Sequence, residues 1–338
     1  MKKRICMITT GGTIASQAAG DGLTPTLGSA DILRLLPALG ALCDVEPVEV
    51  CRIDSTDMTP AHWLKVARAI RARYDACDGF VILHGTDTMA YTAAALSYLI
   101  QQSPKPIVLT GAQKPIDRET TDSRTNLLDA FRYACADVAS GVQIVFDGRV
   151  ILGTRARKVR TVRTKSFHAF ASVNYPDLAA LSDGRLLSYI QEPKPPRPLF
   201  ADALGGRVSL LKLIPGTDAA QLRFLLERSD AVIVESYGVG GVPTAGGFSE
   251  RILDAAACGK TIVMTTQVPN EGSDIGVYRV GYRLKGVPGV LEAYDMTTEA
   301  VVTKLMWILG QTQARDAIRR LFYAPVAHDI LYPGAWDA

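Results

Sequence analysis

A threonine that follows two glycines at the end of a buried strand can supply a nucleophilic hydroxyl, and this chain has that arrangement near its N-terminus. Thr13 comes directly after Gly11 and Gly12, which follow the apolar run from Ile5 to Ile8. Glycines let the backbone turn sharply and approach a ligand closely. Open α/β sheets place their ligand sites at the carboxyl ends of strands. An ordinary strand-to-loop turn with an incidental threonine would give the same pattern.

A second stretch repeats this arrangement. The apolar run from Phe80 to Leu83 is followed by Gly85 and Thr86, and Asp87 comes next. A carboxylate at the start of a helix is a good cap, which is the alternative interpretation of Asp87. Capping does not explain why two strand ends in one domain both carry a Gly-Thr pair.

Two further loops have a similar character. Thr110 and Gly111 end another apolar run, and the loop from Cys51 to Met58 is rich in hydroxyls and carboxylates. Turn chemistry alone would account for either loop. Four polar loops after neighbouring strands would, however, line one rim of a sheet, and that combination is more specific than any one loop.

The elements that must position these loops alternate between strand-like runs and helical patterns, which indicates βαβ units and a mostly parallel sheet. Strands are predicted at 5–9, 79–84, 106–110, 142–146, 207–213, 231–236 and 261–266. Helices are predicted at 29–36, 60–75, 88–102, 123–140, 217–228, 247–258 and 297–310. Four prolines between 193 and 198 predict a stiff linker. We therefore predict an N-terminal α/β domain (1–190) with the candidate site, a Pro-rich linker (191–206) and a smaller C-terminal α/β domain (207–338).

Length and composition limit the class of protein. A chain of 338 residues is long enough for roughly two domains, and its net charge of +3 does not suggest nucleic acid or a membrane surface. The six cysteines are scattered without a CxxC pair, so we expect free thiols rather than a metal site or disulfide framework. The apolar run behind the basic N-terminus is too short for most signal peptides, and no stretch approaches a membrane span. These features predict a cytoplasmic protein with no membrane or nucleic-acid partner.

Other motifs favour structural interpretations. The stretch 258–261 resembles the end of a phosphate-binding loop, but the required glycine is replaced by Asp254. The four histidines have no metal-binding spacing, so no metal and no cofactor are predicted. A basic run is better explained as a solvated face than as a nucleic-acid patch, although one of its lysines could point inward to a carboxylate. Its members are Arg155, Arg157, Lys158, Arg160, Arg163 and Lys165.

Together the loops resemble the bacterial-type L-asparaginase family, which also includes glutaminase-asparaginases. The similar segments are 10–15 (TGGTIA), 84–88 (HGTDT), 54–58, 110–113 followed by Asp122 and Asn126, and 295–300, the last being similar to the cytoplasmic type I branch. The resemblance covers nearly the whole chain. It implies a doubly wound N-terminal domain, a smaller α/β C-terminal domain, and homotetramers built from intimate dimers whose sites are shared between subunits.

The resemblance also implies residue roles. Thr13 would be the nucleophile that attacks the side-chain amide carbon, with release of ammonia. Thr86, Asp87 and Lys158 would form a second catalytic group, in which Asp87 holds Lys158 and Lys158 makes Thr86 a better proton acceptor. Backbone N–H groups at the glycine turns would stabilise the oxyanion.

For the substrate L-asparagine, the resemblance implies that Ser55 receives the α-carboxylate and that Asp87 receives the α-ammonium. The Ala112 carbonyl would accept from the leaving nitrogen. Thr56 stands where secreted members often carry glutamine, and Glu271 is the carboxylate expected from the neighbouring subunit.

Two positions depart from the family pattern. Leu23 stands where many members carry a tyrosine that is hydrogen-bonded to the nucleophile, so Thr13 must be activated in another way. Glu235 stands where some type I enzymes carry arginine, so the resemblance implies nothing about allosteric control at that position.

Alternative functions come from the same scaffold. An amidase subunit of a tRNA-dependent amidotransferase shares both signatures, but it would need an additional N-terminal domain for its partner. A non-catalytic amino-acid sensor would be expected to lack a nucleophile, yet Thr13 and Thr86 are both present. The favoured hypothesis is hydrolysis of L-asparagine by a threonine nucleophile without a cofactor.

Overall fold

The alternating apolar and helical segments fold into two α/β units. A computed structural model of the chain describes residues 2–19, 22–161 and 169–331. The division between the units falls after Asp202. The stretch 191–206, predicted as a linker, includes a short strand of the first unit, Leu199–Phe200, which pairs with Ile100–Gln101.

The elements of the first unit are as follows. Its strands are β1 (Arg4–Gly11), β2 (Ser16–Ala19), β3 (Gly22–Pro25), β4 (Asp44–Ile53), β5 (Gly79–Leu83), β6 (Ile100–Gln101), β7 (Pro106–Thr110), β8 (Gly141–Phe146), β9 (Arg149–Leu152), β10 (Ala156–Lys158), β11 (Phe170–Ser172), β12 (Ala179–Ser182), β13 (Arg185–Ser188) and β14 (Leu199–Phe200). Its α-helices are α1 (Ser29–Leu35), α2 (Leu39–Leu42), α3 (Pro60–Arg73), α4 (Met89–Leu99) and α5 (Ser123–Cys135).

An eight-stranded sheet forms the centre of this unit, in the order β13-β12-β9-β8-β7-β5-β1-β4. The five strands from β8 to β4 are parallel, and β9, β12 and β13 extend the sheet in antiparallel fashion. Numbered along the chain, the parallel strands stand in the doubly wound order 2-1-3-4-5. The fold class predicted from the sequence is confirmed.

The second unit is smaller and has its own sheet. Its strands are β15 (Val208–Lys212), β16 (Ala231–Ser236), β17 (Thr261–Thr266) and β18 (Val290–Glu292), and its α-helices are α6 (Ala219–Arg228), α7 (Phe248–Ala257), α8 (Arg279–Tyr282), α9 (Thr298–Gln311) and α10 (Arg315–Tyr323). The four strands are parallel in the order β15-β16-β17-β18. A separate apolar core fills this unit, centred on Val232, Ile252 and Met264.

Each predicted element has an observed counterpart, and the two differ mainly at helix ends, but β2, β3, β4, β6, β9 to β14, β18, α2, α8 and α10 were not predicted. The helix predicted at 123–140 ends at Cys135, because Ala136 adopts an extended backbone conformation. The helix predicted at 88–102 ends at Leu99 and is followed directly by β6.

Two general expectations can be compared with the structure. The six cysteines are free thiols. The longest helices in the described residues, α3 and α9, have 14 residues each, and no helix there has the length and apolar character needed to span a bilayer.

Candidate active site

The two threonine-bearing loops lie at the topological switch point of the first sheet. In the order 2-1-3-4-5, the crossover connections leave the first and third strands in opposite directions, and a crevice opens between their carboxyl ends. These strands are β1 and β5, which are direct neighbours. Thr13 follows β1 and Thr86 follows β5, so both loops border the crevice in which doubly wound proteins bind ligands.

Close backbone contacts between glycines hold these two loops together. Gly12 has a φ of +81°, and a methyl group there would stand only 2.4 Å from the Gly85 nitrogen and 2.5 Å from the Gly85 Cα. Only a residue without a side chain permits this approach. The residues that follow these two glycines, Thr13 and Thr86, therefore leave from adjacent points of the rim. Thr13 is half-buried and Thr86 is buried.

The loop after β4 joins the same rim. Ser55 is buried, and its Oγ lies 2.6 Å from the position that a methyl group on Gly85 would occupy. The Ser55 carbonyl accepts a hydrogen bond of 2.7 Å from Thr88 Oγ1. Thr56 differs, because it is exposed and its hydroxyl donates to the Asp54 carboxylate at 2.9 Å. The structure thus brings Ser55 to the Gly85 turn. The Thr56 hydroxyl is instead bound to Asp54, which caps the short 3-10 helix of the same loop.

Lys158 connects the candidate catalytic residues electrostatically. It is the last residue of β10, and its Nζ donates to Thr86 Oγ1 at 2.9 Å and to the Asp87 carboxylate. Its side chain is 15% exposed, whereas that of Asp87 is 58% exposed. One ammonium group therefore bridges a buried hydroxyl and a solvent-facing carboxylate, an arrangement that can relay a proton and bind a cationic substrate group.

The described members of the basic run do not form one solvated face. Arg155 is fully buried, Arg157 is half-buried and Arg160 is exposed. Arg163 and Lys165 lie outside the described residues. Of the lysines in this run, Lys158 is the one that the structure describes, and it contacts a carboxylate as the alternative interpretation of the run predicted.

The fourth loop follows β7. Ala112 is 1% exposed, and its neighbour Gly111 packs so closely that a methyl group there would stand 2.3 Å from the His84 carbonyl oxygen. The loops after β7, β1 and β4 therefore each contact the loop that follows β5. Glu271 belongs to the second unit, where it lies in an exposed turn with a φ of +74°.

A buried hydrogen-bond network around His84 was not predicted from the sequence. His84 is fully buried, with Nδ1 2.6 Å from the Gly85 carbonyl and Nε2 2.9 Å from Thr92 Oγ1. Trp63 donates its indole N–H to Thr92 Oγ1 at 2.9 Å. Because Thr92 then donates its single hydroxyl proton to Nε2, we assign the ring proton to Nδ1. A histidine directly before the Gly-Thr turn, in an apolar run, was the only sequence feature that pointed to this role.

This network predicts a loss of stability in acid. Burial lowers the pKa of His84 from 6.5 to about 4, so between these values the unfolded chain binds a proton that the folded chain does not. The stabilisation is complete above pH 6.5 and is lost as the pH falls towards 4, by about 3 kcal/mol. The measurement is the urea-unfolding free energy at pH 7 and pH 4.5.

Comparison with variants isolates the contribution of this ring. His84→Asn should lower stability at pH 7 but show a pH dependence smaller by about 3 kcal/mol. An unaltered pH dependence in His84→Asn would contradict the assignment.

Within residues 2–19, 22–161 and 169–331, no group of three or more histidine, cysteine, aspartate or glutamate side chains could hold a metal ion.

Family models and relatives of known name both show similarity to asparaginases. The family model described as Asparaginase, N-terminal, matches residues 4–194, and the Glutaminase/Asparaginase C-terminal domain matches residues 207–322. The chain is 37% identical to L-asparaginase of Thermococcus kodakarensis, over 97% of this chain and 99% of that protein. It is 35% identical to L-asparaginase 1 of Escherichia coli K12, over 94% and 95% of the two chains.

One solved structure and one relative of another kind are also similar. The structure of the thermostable L-asparaginase from Thermococcus kodakarensis superposes with a TM-score of 0.89 at 36% identity, covering 97% of this chain and 99% of that one. The chain is 31% identical to a glutamyl-tRNA(Gln) amidotransferase subunit of Pyrococcus horikoshii, over 96% of this chain and 76% of that protein.

Proposed function

Because the chain belongs to the asparaginase family, we propose that it hydrolyses the side-chain amide of L-asparagine to L-aspartate and ammonia through a threonine acyl-enzyme. Membership rests on two family domains that together span residues 4–194 and 207–322. The resemblance predicted from the short signatures is confirmed. The reaction and its residue roles remain our proposal, which is supported by the geometry of the first unit.

The observation that carries this proposal is the position of Lys158. Its Nζ lies 2.9 Å from Thr86 Oγ1 and pairs with Asp87, directly beside the glycine contact that brings the Thr13 loop to the Thr86 loop. A hydroxyl nucleophile is weak at its ordinary pKa and requires a neighbouring proton acceptor. Thr86, Lys158 and Asp87 are suited to provide that proton acceptor at the switch point of the sheet.

The first half of the proposed reaction forms an ester. Thr13 Oγ1 attacks the amide carbon and its proton passes to the leaving nitrogen, so the C–N bond breaks and ammonia departs. Backbone N–H groups at the glycine turns are the proposed oxyanion donors, and losing one such donor typically costs about 10²–10³ in rate.

The second half releases the product. Water attacks the ester carbonyl, its proton returns to Thr13 Oγ1, and L-aspartate leaves. We assign the activation of the attacking group to Thr86, whose hydroxyl is held by Lys158, with Asp87 fixing the lysine. No cofactor is required by this sequence of steps.

Substrate orientation uses opposite charges at the two ends of the site. The solvent-facing Asp87 carboxylate is suited to the α-ammonium, and Ser55 with nearby backbone N–H groups is suited to the α-carboxylate. The Ala112 carbonyl is the proposed acceptor for the leaving nitrogen. Thr56 is the weakest of these assignments, because Asp54 already engages its hydroxyl.

We further propose a cytoplasmic homotetramer in which the neighbouring subunit completes each site with Glu271. Exposed apolar side chains such as Leu187, Tyr189 and Phe224 are compatible with subunit contacts. Sedimentation equilibrium should then give a mass about four times that of the chain, and a stable monomer with full activity would contradict the shared site.

The direct test of the function is ammonia release from L-asparagine, L-glutamine and D-asparagine by the purified chain. We expect L-asparagine to be the best substrate and D-asparagine to be turned over more slowly. Absence of ammonia release from all three would reject the enzyme proposal and favour a non-catalytic amino-acid sensor, which binding calorimetry with L-asparagine would then detect.

A second candidate function is the amidase subunit of a tRNA-dependent amidotransferase, which the similarity to the Pyrococcus horikoshii protein favours. The two candidates differ in their requirement for a partner. An asparaginase releases ammonia from free L-asparagine without tRNA or a second protein. Turnover that appears only with a partner subunit and charged tRNA would support the amidotransferase.

A further inference from the structure

The loop that contains Ala112 is held by two side chains of the first turn of α5 and its cap. The Asp122 carboxylate accepts from the Gln113 N–H at 2.8 Å and from the Lys114 N–H at 3.0 Å. Asn126 donates its amide to the Gly111 carbonyl at 2.9 Å and accepts from the Asp147 N–H at 2.9 Å. Backbone groups on both sides of Ala112 are therefore fixed from the same helix.

Because the peptide bond is planar, holding the Gln113 N–H also fixes the direction of the Ala112 carbonyl. The Ala112 C=O and the Gln113 N–H belong to one rigid trans peptide unit and point in opposite directions. When Asp122 holds the Gln113 N–H, it also makes the Ala112 carbonyl point away from α5. The acceptor is anionic, so it polarises the peptide and makes the Ala112 carbonyl a stronger hydrogen-bond acceptor.

The Ala112 carbonyl itself is left available. Although Ala112 is only 1% exposed, its carbonyl accepts no hydrogen bond from the residues that the structure describes. Buried carbonyls without a partner are uncommon in folded proteins. A buried, polarised and directed carbonyl is suited to accept a hydrogen bond from a ligand N–H group.

We propose that Asp122 and Asn126 are positioning residues that aim the Ala112 carbonyl at the leaving nitrogen and so make the site select amides over esters. This inference rests on the proposed function. It adds that selection of the leaving group comes from α5, through the backbone of the loop 111–114, with neither side chain in contact with the substrate.

A pair of substrates tests the role of the carbonyl. L-Asparagine has an N–H donor on its leaving group, whereas L-aspartate β-methyl ester has none, and the two share the same acyl part. Asp122→Asn keeps the shape of the side chain but replaces the anionic acceptor with a neutral amide. We expect it to lower kcat/KM for L-asparagine about tenfold and to leave ester hydrolysis within about twofold of wild type.

Matched variants separate positioning from general damage. Asn126→Ser should also lower the amide-to-ester ratio of kcat/KM, and it serves as the second variant if Asp122→Asn does not fold. Asp129→Asn, which removes the ion pair with Arg132 on the same helix, is the control and should leave the ratio unchanged.

Each outcome decides the proposal. Selective loss of amide hydrolysis supports it. Equal losses for amide and ester, or no loss for either, would overturn it and reduce Asp122 and Asn126 to scaffold residues. Failure of the proposed function is distinct, because the wild-type protein would then release no ammonia from L-asparagine.

Discussion

Thr13→Ala is expected to reduce ammonia release from L-asparagine to background, by at least about four orders of magnitude. Without the hydroxyl no acyl-enzyme can form, and no other group in the proposed mechanism attacks the amide carbon. Thr13 is half-buried at the start of a short 3-10 helix, so the fold should survive. The measurement is ammonia release at saturating substrate together with the thermal unfolding midpoint.

Two controls define this result. Thr13→Ser retains a hydroxyl and should keep measurable turnover, whereas Thr13→Ala should not. Thr10→Val removes a nearby buried hydroxyl that donates to the Leu83 carbonyl at 2.9 Å, and it should lower stability by about 1 kcal/mol while turnover persists. Unchanged turnover in Thr13→Ala would reject the nucleophile assignment.

The sequence was informative about the candidate site because its loops follow strongly apolar strands. The runs before Thr13, Thr86 and Ala112 are buried on both sides of the sheet, so their hydrophobicity is continuous and their ends are sharp. Parallel pairing then places these ends on one edge. The rim could therefore be predicted without knowing the order of the strands.

The strand before Ser55 was missed for a physical reason. β4 is the edge strand of the sheet and pairs with β1 alone. Its residues alternate acidic side chains with valine and include Pro47, which an edge strand tolerates because one side of its backbone forms no ladder. Edge strands with this composition lack the continuous apolar pattern used to predict the others.

The antiparallel extension formed by β9, β12 and β13 was also not predicted. These strands have only four residues each, and the apolar side chains in them are separated by turns such as Asp183–Gly184. Segments of that length carry too few residues to establish a period of two.

The close backbone contacts made by glycines of separate loops could not be predicted from the sequence. Gly12 against Gly85, and Gly111 against the His84 carbonyl, are determined by the approach of separate loops. A glycine in a turn indicates only that the backbone is unusual or crowded there. Which loop crowds it depends on strand order, and that order became known only from the sheet.

Lys158→Met is expected to lower kcat on L-asparagine by about 10²–10⁴, the range typical of general acid–base groups. Methionine approximates the length of the lysine stem but cannot carry or exchange a proton. The Asp87 carboxylate that it leaves unpaired is 58% exposed, so water can solvate it and stability should change little. The measurement is steady-state ammonia release at saturating L-asparagine, with Arg160→Met as the control for an exposed cation of the same run.

Lys158→Arg distinguishes proton transfer from charge alone. Arginine keeps a positive charge beside Thr86 and Asp87 but does not give up its proton in proteins. If Lys158 must accept a proton from the Thr86 hydroxyl, Lys158→Arg should be nearly as slow as Lys158→Met. If Lys158→Arg retains most of the activity, Lys158 serves only as a fixed positive charge beside Thr86. The proton of the Thr13 hydroxyl must then be accepted by a different group.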